Sequence, residues 1–222
     1  AVGLKGVAQE RTIGDAFEQT QTGATLVDMM ALDLLIGSGG VLSHAPRRSQ
    51  AAHMLIDAFL PEGVTMLAVD SIFMMPQLGV LSEVHEEAAT EVFDKDCLIR
   101  LGTCIAPVGK AKQGIVTATL VFEGANGTEE HAIEYGSMKV LPLGAGKTLK
   151  AEIRPARQID VGDGPGKTIE REISGGVAGV ILDGRGRQPF SLPERQEERV
   201  ARLRDWARTM GTYPDRFFSM AR

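Results

Sequence analysis

The chain has 222 residues, of which 43% are apolar, and it carries a formal net charge of -5 at pH 7. That composition can bury one large core or two modest ones and excludes a disordered polypeptide. The acidic balance speaks against a general nucleic-acid or membrane-surface binder, which needs a clustered basic face to neutralise phosphates; arginines gather at Arg185 to Arg187 and from Arg195 to Arg208, but glutamates interleave the second group.

The opening segment, Val2 to Val7, has no helix cap or strand partner, and the chain reads as a piece of something longer. No apolar run approaches the roughly 20 residues that span a bilayer, and a basic-then-apolar leader is absent, so a cytoplasmic location is expected. Leu32 to Ile36 reads as a buried strand that runs into Gly37, Ser38, Gly39 and Gly40 and then a helix beyond Pro46. Glycines there leave no Cβ in the way, so backbone amides and a helix N-terminus can approach a phosphate, ribose or base edge. A tight ligand-free turn uses the same residues.

Ser49 to Phe59 follows as a helix with Ala51, Met54, Leu55 and Ala58 on one face, then a strand from Val64 to Asp70 and a helix from Leu81 to Phe93. Strands alternating with helices suggest a largely parallel sheet covered by helices. Beyond residue 94 the texture changes to runs of Val, Ile, Thr and Leu broken by glycine. Strands are expected at Leu98 to Ile105, Gly114 to Phe122, His131 to Tyr135, Lys139 to Leu141, Leu149 to Ile153, Thr168 to Ile173 and Val177 to Leu182. Asn126-Gly127 marks a hairpin. A last helix has a capping-box spacing at Ser191 and Glu194 and an apolar stripe of Val200, Leu203, Trp206, Ala207 and Met210. The expected fold class is mixed α+β. Residues 1–93 would form an α/β half-domain with the glycine loop, residues 94–190 a β-rich sandwich or barrel, and residues 191–222 a C-terminal helix and tail.

Cys97 and Cys104 lie seven residues apart in extended-looking chain, which points them to opposite faces and makes a disulfide or zinc site a poor reading. Gly146-Lys147-Thr148 and Gly166-Lys167-Thr168 mimic the end of a phosphate loop, but the glycine such a loop needs is Leu141 or Val161, and strand-like sequence follows. Both read as hairpin turns. His44, His53, His85 and His131 are scattered, and Ser38 lacks the glycine spacing of a nucleophile elbow. His44 beside the loop is either a ligand contact or a cap. No catalytic residue and no metal-binding set is assigned. A cobalamin-binding Asp-x-His-x-x-Gly pattern is missing, so direct ligation of cobalamin is not expected.

Four blocks together carry a resemblance: Ile36 to Pro46, Leu67 to Leu81, Asp96 to Thr103 and Ile173 to Arg187. Across residues 30 to 210 the chain resembles the C-terminal half of the MutL/GlmL family, the accessory proteins of adenosylcobalamin-dependent glutamate mutase, with residues 1 to 29 matching less clearly. The resemblance implies an actin-like ATPase fold of the ribonuclease H-like kind, in which ATP lies between two α/β halves. Gly37, Ser38, Gly39 and Gly40 match the adenosine loop of the second half. Asp70 would face the ligand or simply cap the turn after its strand. The phosphate loop of the first half, which would position magnesium, is not among these residues, so this chain alone should hydrolyse little ATP. The implied cofactors are ATP or ADP with magnesium, and the implied partners are the subunits of a mutase gripped through the β region, with pairing to a second copy left open. The alternatives are a non-catalytic scaffold for the mutase and a small-molecule kinase of the same superfamily.

Overall fold

The computed structural model describes residues 27–219 apart from residues 126, 188, 189 and 191. The expectations for Val2 to Val7, for Asn126 in the hairpin and for Ser191 in the capping box lie outside the described residues. Among the described residues the architecture is mixed, as expected, with two sheets and several helices.

After a short turn at Met29–Ala31, β1 (Leu34–Gly37) ends in the glycine bend, and a single helical turn, α1 (Gly40–Ser43), leads to α2 (Arg48–Phe59). The chain returns as β2 (Gly63–Asp70) and then makes two short helices, α3 (Met75–Ser82) and α4 (Glu86–Val92), where sequence suggested one helix from Leu81 to Phe93. The break is local chemistry. Pro76 suits a first helical turn, and the His85 ring accepts the Ala88 amide at 3.2 Å, which starts a new helix there. A wide turn, Phe93–Cys97, joins α4 to β3 (Leu98–Ala106).

The remaining strands are β4 (Val116–Gly124), β5 (Gly127–Glu134), β6 (Met138–Leu141), β7 (Thr148–Pro155), β8 (Ile169–Ser174) and β9 (Val180–Asp183), followed by α5 (Gln196–Thr209) and α6 (Asp215–Ser219). Strand positions match the sequence pattern closely. Their partners do not follow it. One sheet has the order β1-β2-β3-β9-β6 and the other β5-β4-β7-β8, so the change of texture near residue 94 does not separate the sheets. The first sheet is also mixed rather than largely parallel: β1 with β2 and β3 with β9 are parallel, whereas β2 with β3 and β9 with β6 are antiparallel.

Three layers result. One face of the first sheet presents Leu67, Val69, Leu101, Cys104 and Ile181 to Leu55 and Ile56 of α2, to Trp206 of α5 and to Met210 just after it. Its other face sends Ile105, Val180 and Leu182 against Leu120, Ile133, Ile153 and Ile173 of the second sheet. Alternation along β9 decides this: Ile181 points one way, and Val180 and Leu182 point the other. Within the first sheet, β3 and the turn into β9 approach closely enough that a Cβ on Gly102 would run into the Gly179 carbonyl.

Candidate functional site

Because β1 and β2 are parallel and Gly37 pairs with Val69, the residues that follow, Ser38 and Asp70, emerge side by side. The Ser38 hydroxyl donates to Asp70 Oδ2 at 3.2 Å. Two of the residues singled out by sequence therefore meet across 32 positions of chain.

Asp70 has no exposed surface, although its turn lies near the edge of the molecule. Its Oδ1 accepts the amides of Ile72 (3.4 Å) and Met74 (3.1 Å), while Oδ2 accepts the Met75 amide (3.0 Å) as well as Ser38. Burial works to raise its pKa, yet the Met75 and Met74 amides, the Ser38 hydroxyl and the Ile72 amide together hold it below the usual carboxylate value. Two donors on each oxygen fill its accepting capacity. Asp70 fixes Ser38 and caps the following turn.

The bend is open on its outer side and closed beneath. A Cβ on Gly37 would meet the Leu42 and Leu55 side chains at 2.6 and 2.8 Å, so this glycine serves packing of α1 and α2 against β1. Gly39 sits at φ 113°, ψ 157°, and neither it nor Gly40 has any atom within 4 Å of an added Cβ. The amides of Leu42, Ser43 and His44 close the turn onto the Gly39 and Gly40 carbonyls. Those of Gly40 and Val41 are the first-turn donors that a helix cannot satisfy internally. His44 is exposed, and its Nδ1 lies 2.9 Å from the Ser43 hydroxyl. Among the described residues no three His, Cys, Asp or Glu side chains gather to hold a metal ion.

The other sequence candidates resolve as structure. The two Gly-Lys-Thr triplets sit in turns that enter β7 and β8, the second held by Asp160 Oδ1 accepting the Gly162 and Gly164 amides. Cys97 and Cys104 are free thiols buried in different clusters, and burial pushes the Cys104 thiol up to about 12. Cys97 ends the turn before β3 rather than lying in the strand.

Sequence reading missed the most highly charged part of the interior. Asp183, Arg185 and Arg187 are all buried. Arg185 donates Nε and Nη2 to the two oxygens of Asp183 (2.9 and 3.0 Å) and Nη1 to Asp57 (2.6 Å). Arg187 reaches Asp183 Oδ2 at 2.7 Å and the Pro61 carbonyl at 3.0 Å. Arg185 also lies over the Trp206 ring, 5.1 Å from its centre, and Trp206 Nε1 donates to the Gly136 carbonyl. Burial would raise the Asp183 pKa, but the two guanidinium groups hold it far below the normal range. His53, 3.6 Å from Asp57, has its pKa pushed down by burial. A signal existed in the sequence: Asp183, Arg185 and Arg187 recur at every second residue after an apolar run, although β9 itself ends at Asp183.

Residues 6–97 match a family model described as MutL protein. Over those residues the chain is similar to the MutL family. The matched segment contains the bend, Asp70 and both helices that follow, and it takes in residues 6–29, where the resemblance read from the sequence is less clear. The MutL family is that of glutamate mutase accessory proteins. No curated protein and no solved structure matches the chain. No described helix is long and apolar enough to cross a membrane.

Proposed function

We propose that this chain is the C-terminal portion of a cytoplasmic accessory protein that reactivates an adenosylcobalamin-dependent mutase such as glutamate mutase, and that the Ser38–Gly40 bend takes the adenosine end of ATP or ADP. The observation that carries the reading is the family match over the bend, joined to the bend's geometry: two parallel strands end side by side, and open glycines follow the first of them. Ligands of open α/β sheets bind outside the carboxyl ends of strands.

In this reading the amides of Gly40 and Val41 and the Ser38 hydroxyl are the donors offered to the nucleotide, and Gly39 keeps a side chain out of its way. Asp70 is a positioning residue that holds the Ser38 hydroxyl. Magnesium and the outer phosphates would be held by groups from the other half of an actin-like molecule, where bound nucleotide supplies the energy for closure. Opening and closing of the halves can bias the mutase only as far as its affinity differs between the two states.

One observation favours a scaffold instead: Asp70 uses its full accepting capacity inside its own turn. Titration calorimetry with ADP and with ATP separates the readings. The nucleotide reading expects heat of binding that Ser38→Ala weakens and Gly39→Val abolishes, and a chain that binds neither nucleotide, alone or joined to its preceding half, is a scaffold.

A further inference from the structure

We infer that the α3–α4 hairpin is a docking surface for a partner protein that presents a basic helix with an apolar centre. The inference stands on the hairpin alone and needs neither nucleotide at the bend nor the mutase as client.

The hairpin has only a small core of its own, Leu78, Ala89 and Cys97 with Met74 and Phe93 against them. Its other apolar residues face outward. Ile72 is 58% exposed, Phe73 50%, Val80 72% and Val84 86%. Spacing by four puts Pro76 and Val80 on one face of α3, opposite the buried Leu78, and Val84 follows in the turn that leads to α4. Phe73, just before α3, holds its exposed ring out from a left-handed backbone, φ 60°, which a residue with a side chain rarely adopts. Scattered exposed apolar residues are ordinary, but a contiguous set marks an interaction surface.

Charge identifies the occupant. From Ser71 to Cys97 there are six carboxylates and one lysine, a net of -5, equal to that of the whole 222-residue chain. The rest of the chain is balanced. Lys95 answers Glu91 and Arg100 answers Asp94, while Glu83, Glu86 and Glu87 stand exposed beside Val84. An apolar centre with an acidic rim is complementary to an apolar centre with a basic rim. A second copy docking through the same face would bring like charges together, as would an anionic lipid surface or a nucleic acid.

The test uses fluorescence anisotropy with two labelled amphipathic peptides, a leucine–lysine helix and its leucine–glutamate counterpart. The expected result is binding of the lysine peptide alone, weakened at least about tenfold in Val80→Ser/Val84→Ser, with preference shifting to the glutamate peptide in Glu83→Lys/Glu87→Lys. Both variants change exposed residues, and thermal melts check that they fold. Binding that ignores both variants overturns the inference. So does sedimentation showing that the wild-type chain self-associates and the double-serine variant does not, since the occupant would then be a second copy.

Discussion

At Gly39 the backbone occupies a region that costs other residues about 1–3 kcal/mol, so Gly39→Ala should lower stability by that amount although nothing stands in the way of the methyl group. Gly40→Ala, in the same open space without a positive φ, should leave the melting temperature nearly unchanged, and scanning calorimetry of the pair isolates the backbone effect. Asp70 makes a different prediction. Its folded pKa is depressed, so the unfolded chain takes up the proton first. The stabilisation is complete above the ordinary carboxylate pKa of about 4 and is lost as pH falls below it. Asp70→Ala should cost roughly 1–2 kcal/mol at neutral pH, as loss of a helix cap does, and should flatten the acid limb of stability in urea melts taken across that range. The residue types at both positions were legible in sequence. What was not legible is the saturation of Asp70 by three amides and a hydroxyl, because that depends on how the backbone turns after β2.

Elements were legible where their signal was local and obscure where it depended on a distant partner. Runs of Val, Ile, Thr and Leu broken by glycine located β3 to β9, but they could not say that β9 would enter the first sheet between β3 and β6, where Ile181 pairs with the distant Cys104. The apolar stripe of α5 was read correctly as a stripe, yet only its second half is used: Trp206 and Met210 are buried, whereas Val200 and Leu203 are more than a third exposed. The buried charges make this the element scale at which energetics are largest. Asp183 extends from β9, Asp57 from α2 and Trp206 from α5, and Arg185 touches all three. Asp183→Ala leaves two buried guanidinium groups without their shared counterion and should cost about 3–5 kcal/mol, whereas Arg185→Ala leaves Asp183 paired with Arg187 and should cost less. The double variant should cost much less than their sum, and chemical denaturation of the four proteins in a double-mutant cycle measures the difference. Read as sequence, Arg185 to Arg187 looked like a small basic patch. The structure turns it inward as the tie between a helix, a strand and the C-terminal helix.

For the whole molecule, the mixed α+β class followed from composition and pattern, whereas the three-layer arrangement did not, because it is set by which side chains of one strand face helices and which face the second sheet. The C-terminal helix closes a layer that begins with α2, and hydrogen bonds from Ser49 and Gln50 to the Gly211 and Thr212 carbonyls fasten the two ends of that layer. The family similarity and cooperative folding therefore have different limits in this chain. The matched segment stops at Cys97, one residue before β3, and β3 pairs with β2 along its full length. A polypeptide cut at that point keeps the recognisable part and loses the strand that shields it, leaving the Gly63–Asp70 edge as a ready template for aggregation. Such a fragment should be recovered from expression as insoluble material, while one ending after Thr212 should remain in solution.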